Sequence, residues 1–335
     1  MQTRFLLFTM RMDDEEINAN MKVLITGGAG FIGSHLAIRL LKEGMHPVLI
    51  DHLSEELPHA RKEYQLKQVF KTGPAVYYNC SFLEREKVSV IMEKEKPHAV
   101  VHLGGLAGVI PSLKDPSAYI KTNIDGTNNV LACAAEQNVK HVIFASSSSV
   151  YGEQAGLPLS EDMATGRVLS PYAASKAGAE ALCHSYRHMY GFQMNILRFF
   201  TVYGPWGRPD MAFATFIRKL FHNEPITIYG QGTGRDYTYI DDIVSGILLT
   251  LKSKESDVYN LGSGRPVLMS EVVDEIKHHF PNVKLLQKEA RIGDVTSTWA
   301  DVSKARVKLG YDPAVSFKKG FEETVAWAKE HSDLI

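Results

Sequence analysis

Tyr172 and Lys176 lie four residues apart in the segment 170–176, and together their side chains could move a proton. Four residues is just over one helical turn, so the phenol and the ammonium share one face if the segment is a helix. A phenol has a pKa near 10. One positive charge at about 4 Å favours the phenolate by about 4 kcal/mol at an effective dielectric near 20. The pair therefore predicts a tyrosine base assisted by a lysine, although the same spacing also occurs on solvated helices.

A glycine-rich turn, residues 26–33, follows the first predicted strand and opens the first predicted helix. Its glycines permit a tight turn and close approach of the backbone to a pyrophosphate, and the helix N-terminus favours the negative charge. Asp51 closes the second predicted strand, where a carboxylate accepts hydrogen bonds from a ribose 2'-hydroxyl and repels a 2'-phosphate. NAD is therefore expected in preference to NADP. The predicted contacts in these two segments are Gly27, Gly30, Phe31, Ile32, Gly33 and Asp51.

Four serines, residues 146–149, follow a predicted buried strand. In an open parallel sheet, ligands bind at the carboxyl ends of the strands. Since Tyr172 and Lys176 come about 25 residues later, we interpret these serines as hydroxyl donors opposite the base, rather than as a flexible linker.

The elements that must position these residues alternate along the chain from Met21. Short apolar segments are followed by amphipathic ones, which favours a parallel sheet covered by helices on both faces. The predicted strands are residues 23–25, 47–50, 75–78, 99–103, 141–145 and 193–198, and the predicted helices are residues 31–43, 119–138 and 172–190. The predicted fold class is α/β: a Rossmann-type doubly wound parallel sheet with a smaller C-terminal α/β substrate lobe.

Composition excludes several classes of function. The chain has 335 residues, 44% of them hydrophobic and 22% charged, with a net charge of -1, so neither nucleic acid nor a membrane is an expected partner. Residues 5–8 are apolar but too short for a membrane span or a signal peptide. Three widely spaced cysteines, Cys80, Cys133 and Cys183, indicate reduced thiols rather than disulfides or a metal site. A cytoplasmic enzyme without a metal is expected.

The chain resembles the extended short-chain dehydrogenase/reductase family, and within it the nucleotide-sugar epimerases, over residues 21 to 330. The motifs that carry the resemblance are residues 26–33, 123–127, 146–152, 172–176, 202–205, 235–242 and 309–311. The resemblance implies that Ser147 is the active-site hydroxyl and Tyr172 the base. It also implies that Lys176 binds the nicotinamide ribose and lowers the pKa of the tyrosine, and that Asn123 lies at the cofactor.

The implied reaction is a transient oxidation of a UDP-sugar at C4'. Tyr172 takes the proton of the 4'-hydroxyl while hydride passes to NAD, and the hydride then returns to the other face of the 4-keto sugar. Acidic residues that follow the active-site hydroxyl in related dehydratases and decarboxylases are replaced here by Ser148 and Ser149. This substitution argues against dehydration and decarboxylation.

The segment 198–211 is similar to that of UDP-glucuronate 4-epimerases. A sugar carboxylate needs hydrogen-bond donors, and Arg208 with the hydroxyls of Ser148 and Thr201 could supply them. By resemblance, Arg235 and Arg291 lie near the diphosphate. Asp294 is placed near the uridine ribose in the same way.

The alternation of strands and helices breaks after Thr201, where prolines and glycines separate shorter elements, and this break predicts a second lobe; the resemblance implies a homodimer. Residues 1–20 form an N-terminal extension. Residues 21–200 plus about 236–262 form the NAD-binding domain, and residues about 201–235 plus 263–335 form the nucleotide-sugar-binding lobe. The dimer would form through the helices that include residues 119–138 and 172–190.

Two positions depart from the family pattern. Ser81 replaces the acidic residue that meets the adenine amino group, and Gly104-Gly105 replaces a pair of alanines after His102-Leu103. We expect Ser81 to keep one hydrogen bond to the adenine, and Gly104-Gly105 to loosen a loop close to the cofactor.

Three alternative functions are compatible with the same motifs. One is a UDP-glucose or UDP-N-acetylglucosamine 4-epimerase. Another is a non-catalytic NAD-binding sensor of the same fold, which would be expected to have lost the tyrosine or the lysine. A third is a net dehydrogenase that releases NADH.

Overall fold

The computed structural model describes residues 21–52, 59–154, 156–208, 212–229, 233–288 and 297–334. Its strands, in chain order, are β1 (Lys22–Thr26), β2 (His46–Asp51), β3 (Val76–Asn79), β4 (Ala99–His102), β5 (His141–Ser147), β6 (Gln193–Phe199), β7 (Thr201–Tyr203), β8 (Ile226–Tyr229), β9 (Gly234–Arg235), β10 (Tyr237–Tyr239), β11 (Val258–Leu261), β12 (Val267–Leu268), β13 (Leu285–Lys288) and β14 (Ser297–Thr298).

Helices separate most of these strands. They are α1 (Phe31–Lys42), α2 (His59–Thr72), α3 (Arg85–Glu95), α4 (Val109–Lys114), α5 (Pro116–Ile120), α6 (Gly126–Glu136), α7 (Pro171–Tyr190), α8 (Ala212–Phe221), α9 (Ile240–Lys252), α10 (Met269–His279), α11 (Ser303–Leu309) and α12 (Phe317–Glu330). A π-helical turn, Lys121–Asp125, joins α5 to α6, and three short 3-10 turns lie at Ser148–Tyr151, Glu161–Met163 and Ser332–Leu334.

Seven parallel strands form the central sheet in the order β11-β6-β5-β4-β1-β2-β3. The chain leaves β1 toward β2 and β3 and later returns to β4 on the other side of β1. This reversal opens a crevice at the carboxyl ends of β1 and β4, the place where such sheets bind ligands. The predicted fold class, a Rossmann-type doubly wound parallel sheet, is confirmed.

The central strands are apolar because both faces of the sheet are covered. Val23 and Ile25 of β1 belong to one buried cluster, and Leu24 between them belongs to the cluster on the opposite face. Successive side chains of a strand point to opposite faces, so a strand buried on both sides is apolar throughout. The six predicted strands of this sheet begin and end within two residues of the observed ones.

Three smaller sheets follow the end of β6. β7 pairs with β10, β8 pairs with β13, and β9 lies between β12 and β14. β11 instead pairs with β6 and extends the central sheet. The chain therefore returns to the large sheet once after it has left it.

Candidate active site

Tyr172 and Lys176 lie on one face of α7, as the spacing predicted. The Ser170 hydroxyl caps this helix by accepting a hydrogen bond from the Ala173 amide at 3.1 Å, and Pro171 occupies the first turn. Serine at the N-cap and proline just inside the helix are a common helix start. Tyr172 is therefore held in the first turn of a well-defined helix, and its side chain is 9% exposed.

The Lys176 ammonium points into the carboxyl end of the sheet. Its Nζ donates to the Ala145 carbonyl of β5 at 2.8 Å and lies 5.0 Å from the centre of the Phe144 ring. Burial lowers the pKa of Lys176 to about 8, and the charge of Arg208 lowers it further. Cys183 and Glu180 act in the opposite direction and raise it. Lys176 is mostly protonated at pH 7 and loses its charge at moderately alkaline pH.

The Tyr172 phenol does not have the lowered pKa that the Tyr172 and Lys176 pair predicted. Burial raises the pKa of Tyr172, and this effect exceeds the opposing effects of a hydrogen bond with Ser147 and of the Arg208 charge. The physical reason is that the Lys176 ammonium is directed to the Ala145 carbonyl. The groups that favour the phenolate here are a hydroxyl and a guanidinium.

Ser147 lies where the active-site hydroxyl was predicted, but on a strand rather than in a loop. β5 continues through Ser147 because Ser146 and Ser147 pair in register with Arg198 and Phe199 of β6. The Ser147 hydroxyl accepts from the Ser149 amide and donates to the Ser149 hydroxyl, both at 3.2 Å, and its proximity to the phenol lowers the pKa of Tyr172. The end of the strand therefore holds this hydroxyl against the phenol.

The Asn123 side chain connects the helix of Tyr172 to the loop after β4. Its Oδ1 accepts from the Leu106 amide at 2.8 Å, and its Nδ2 donates to the Leu106 carbonyl and to the Ser175 hydroxyl. Asn123 is in the π-helical turn, which interrupts the single helix predicted over residues 119–138. Extra residues of this kind in a helix often occur at functional sites because they redirect a side chain.

The two glycines that depart from the family pattern lie against this arrangement. A Cβ on Gly105 would approach Asn123 Oδ1 to 2.8 Å and Lys176 Nζ to 3.4 Å, and one on Gly104 would approach the Phe82 ring to 2.6 Å. Gly104 and Gly105 therefore allow the loop to pack closely on Asn123 and Phe82. We find a tightly packed loop here, where loosening was expected.

Arg208 reaches the same region from the loop after β7. Its Nη2 donates to the Ala107 carbonyl at 3.3 Å, and the Tyr119 hydroxyl donates to the same oxygen at 2.9 Å. The Tyr119 ring contacts the Tyr172 ring edge to face, with ring centres 6.0 Å apart. Arg208 is thus positioned on the Tyr172 side of the crevice, and its charge lowers the pKa of both Tyr172 and Lys176.

The glycine-rich turn fits a dinucleotide pyrophosphate. Gly27 has a φ of +69°, and a Cβ on Gly33 would lie 2.2 Å from the Gly27 carbonyl oxygen, so side chains at both positions are excluded. Helix α1 follows at once, with no side-chain cap at Gly30 and no acidic residue in its first turn. The first amides of α1 and its dipole are therefore free to meet the negative charge of a phosphate.

Asp51 ends β2 beside this turn, as expected for a ribose-binding carboxylate. Its Oδ2 accepts from the Ala29 amide of the glycine turn at 2.9 Å, and its Oδ1 accepts from the Lys62 ammonium of α2 at 2.9 Å. Each carboxylate oxygen can accept a further hydrogen bond. The donors and acceptors of this crevice therefore fit the pyrophosphate and ribose of NAD.

The structure also contains a buried ion pair beneath the site that the sequence reasoning did not identify. Arg198 of β6 binds Glu180 of α7 through two hydrogen bonds of 3.0 and 2.8 Å, and the Ser146 hydroxyl also donates to Glu180. Burial lowers the pKa of Arg198, but the bonds to Glu180 outweigh it and raise the pKa overall. Glu180 is four residues beyond Lys176, so helical spacing alone could have placed it on the catalytic face.

The remaining predicted site residues are spread over several elements. The Ser81 hydroxyl, expected to meet the adenine, accepts from the Leu83 amide at 3.3 Å. Ser148 begins the 3-10 turn after β5, Thr201 begins β7, and both are partly buried. Arg235 lies in β9 and donates to the Gly234 carbonyl.

Two predicted substrate contacts, Arg291 and Asp294, lie outside the described residues. In the part of the chain that the structure describes, no group of three or more histidine, cysteine or acidic side chains could hold a metal ion. Nor does any described helix have the length and apolar character needed to cross a membrane.

Comparison with protein families gives a match over most of the chain. The sequence profile of the NAD-dependent epimerase/dehydratase family matches residues 23–262. The chain is also 38% identical over 321 residues to a UDP-glucuronate 4-epimerase of Thermodesulfobacterium geofontis, covering 93% of this chain and 97% of that protein.

Solved structures of two kinds of enzyme have similar folds. The UDP-glucuronic acid 4-epimerase of Bacillus cereus, in complex with UDP-glucuronic acid and NAD, has a TM-score of 0.86 and 35% identity, over 92% of this chain and 99% of that one. The UDP-glucose 4-epimerase of Thermotoga maritima with UDP-glucose has a TM-score of 0.85 and 30% identity, over 93% of this chain and all of the other.

Proposed function

The chain belongs to the NAD-dependent epimerase/dehydratase family, and we propose that it catalyses the NAD-dependent C4 epimerisation of a UDP-sugar, UDP-glucuronate to UDP-galacturonate. The observation that carries the proposal is the convergence of Ser147, Tyr172 and Arg208 at the carboxyl end of the sheet. Enzymes with this activity are among the similar proteins.

Bound NAD supplies a hydride acceptor and donor, so that C4' of the sugar is oxidised to a ketone and then reduced on its opposite face. Tyr172 accepts the proton of the 4'-hydroxyl and later returns it. Ser147 lies beside the phenol and opposes the rise in its pKa, and Lys176, held on the Ala145 carbonyl, is the expected ligand of the nicotinamide ribose. Only the phenolate form of Tyr172 can take this proton; Ser147 and Arg208 favour that form and burial opposes it, and the raised pKa makes the phenolate a stronger proton acceptor.

The uronate carboxylate would be bound by Arg208 with the hydroxyls of Ser148 and Thr201. A guanidinium forms charge-assisted, often bidentate, hydrogen bonds with a carboxylate. Oxidation of a uronate at C4 gives a β-keto acid, which is prone to lose carbon dioxide. We propose that these contacts hold the carboxylate in the plane of the ketone, where its breaking bond overlaps poorly with the carbonyl.

Product analysis tests the proposal. The purified protein is incubated separately with UDP-glucuronate, UDP-glucose and UDP-N-acetylglucosamine, and the UDP-sugars are separated by chromatography. We expect UDP-galacturonate from UDP-glucuronate, no released carbon dioxide and no stoichiometric rise in NADH absorbance. Turnover of UDP-glucose alone would favour the second candidate, a UDP-glucose 4-epimerase, whose fold is equally similar. Accumulation of NADH would favour a net dehydrogenase.

Replacement of Arg208 tests how the sugar is selected. We expect Arg208→Met to lower kcat/KM for UDP-glucuronate by roughly ten- to hundredfold, because one charge-assisted contact with the carboxylate is lost. Released carbon dioxide should rise as well. Arg306→Met, which removes an exposed arginine paired with Asp312, is the matched control. Unchanged turnover and product purity in Arg208→Met would remove Arg208 from the site.

Three further expectations accompany this function. We propose the domain division given by the sequence, with the nucleotide sugar held by residues about 201–235 and 263–335, including Arg235, Arg291 and Asp294.

We also propose a homodimer, because apolar side chains are exposed on two helices: Ile120 on α5, and Met189 and Tyr190 on α7. The three cysteines are buried and unpaired, which supports the expected cytoplasmic location.

A further inference from the structure

The ribose end of the NAD site contains a buried cation that no sequence pattern indicated. Lys62 of α2 is 5% exposed, and its Nζ donates to Asp51 Oδ1 at 2.9 Å and to the His52 carbonyl at 2.7 Å. Lysine is rarely buried to this extent unless it is paired. Asp51 is therefore one half of a buried ion pair, held on its other oxygen by the Ala29 amide.

This pairing changes the charge that a nucleotide meets at Asp51. An isolated carboxylate accepts a hydrogen bond from the 2'-hydroxyl of NAD and repels the 2'-phosphate of NADP. The Asp51 and Lys62 pair has no net charge, so attraction by the ammonium offsets part of that repulsion. An ammonium also has three N–H donors, and Asp51 and His52 accept from two of them.

We propose that Lys62 and Asp51 together determine the cofactor selectivity of this enzyme. Asp51 selects NAD and directs the Lys62 ammonium to itself. When the charge of residue 51 is removed, Lys62 becomes the binding group for a 2'-phosphate. The proposal rests on the proposed function, because that function places the adenosine ribose of NAD at Asp51.

A purely structural role for Lys62 makes a different prediction. The Lys62 contacts also attach α2 to the end of β2 through the His52 carbonyl. If attachment were the whole role, removal of Lys62 would lower stability and affect both nucleotides alike. The ratio of the two affinities separates these roles, because a change in stability alone does not move it.

The experiment is a double-mutant cycle read as nucleotide affinity. Wild type, Asp51→Asn, Lys62→Met and the double variant are freed of bound nucleotide and titrated with NAD and NADP by calorimetry. Asp51→Ser is a second variant at this position if Asp51→Asn fails to fold. Lys67→Met, an exposed lysine on the same helix, is the matched control.

We expect Asp51→Asn to raise the affinity for NADP relative to NAD by roughly ten- to hundredfold, the value of one charge-assisted hydrogen bond. In the Lys62→Met background, the gain in relative NADP affinity should fall to less than about threefold. A difference of that size is close to the scatter seen between substitutions that act independently. Equal gains with and without Lys62 would overturn the inference while leaving the epimerase intact. A wild-type protein that binds neither nucleotide would instead overturn the proposed function.

Discussion

At the scale of single residues, two neighbouring groups lower the pKa of Tyr172 and burial raises it. Ser147 and Arg208 favour the phenolate, while burial disfavours it and prevails. Burial also excludes water from the reacting proton. Tyr172 can therefore accept the substrate proton only as the phenolate, the form that Ser147 and Arg208 favour and that burial opposes.

Replacement of Tyr172 by phenylalanine removes only the phenolic oxygen. We expect Tyr172→Phe to lower kcat by roughly 10²- to 10⁴-fold, the usual contribution of a general base, while the protein retains NAD as judged by chromatography of released nucleotide. Tyr186→Phe, on the same helix with its hydroxyl bonded to Asn128, is the control and should keep its activity. Full turnover by Tyr172→Phe would exclude Tyr172 as the base.

The buried charges on α7 predict a pH dependence. Lys176, the expected ligand of the nicotinamide ribose, donates hydrogen bonds best as the ammonium, and burial lowers its pKa to about 8, so kcat/KM should fall as the pH rises through about 8. The carboxylate of Glu180 raises the pKa of Lys176. Glu180→Gln should therefore move the falling limb of the pH profile to lower pH.

Glu180→Gln also leaves Arg198 without its partner. Breaking a buried ion pair usually costs about 3–5 kcal/mol of folding free energy, so urea unfolding should show a loss of that size. Glu95→Gln is the control, because it also removes a buried carboxylate from an ion pair, the one with Lys22. It should leave the pH of the falling limb unchanged. An unshifted limb in Glu180→Gln would assign the titration to another group.

At the scale of elements, the site depends on where helices and strands stop being regular. The π-helical turn between α5 and α6 directs Asn123 to Leu106 and Ser175. The extension of β5 through Ser147 holds the hydroxyl against Tyr172. A regular helix through Asn123, or a flexible serine loop, would leave these side chains without fixed positions.

The fit of the loop after β4 against the π-helical turn can be tested with one methyl group. Gly105→Ala would place a Cβ 2.8 Å from Asn123 Oδ1, so we expect a loss of roughly 1–3 kcal/mol in urea unfolding, the usual effect of overpacking. In the control, Gly73→Ala, the nearest contact would be Leu41 Cδ2 at 3.4 Å, and stability should change little. Equal stabilities of the two variants would contradict a tight loop.

At the scale of the whole molecule, two buried carboxylates accept hydrogen bonds from backbone amides that lie far along the C-terminal part of the chain. Asp236 accepts hydrogen bonds from the Ser263, Gly264 and Ala300 amides, at 2.6 to 3.1 Å. Asp242 accepts from the Ala314 and Val315 amides. The acidic residues of the motif 235–242 thus join distant parts of the chain.

The proposed homodimer makes a prediction at the same scale. A charge in an apolar interface is costly to bury, so we expect the wild type to sediment as a dimer in analytical ultracentrifugation and the double variant Ile120→Glu with Tyr190→Glu to sediment as a monomer. Val307→Glu, at a side chain 80% exposed on α11, is the control and should remain dimeric. A wild-type protein that sediments as a monomer would contradict the proposed homodimer.

Local patterns by themselves determined the fold class, six of the seven strands of the central sheet to within two residues, and the helical pairing of Tyr172 with Lys176. These features follow from side-chain periodicity and from the glycine turn, which act over a few neighbouring residues. The resemblance then supplied roles for Ser147, Asn123 and Arg208, and the structure positions all three near Tyr172.

Only the tertiary structure decided the electrostatics of the site. The direction of the Tyr172 pKa, the Glu180 and Arg198 pair and the attachment of Lys62 to Asp51 all depend on burial and on partners distant in sequence. A pattern of neighbouring residues cannot report such distances. The pKa of a buried group is set by the atoms around it, and those atoms are brought together only by the folded chain.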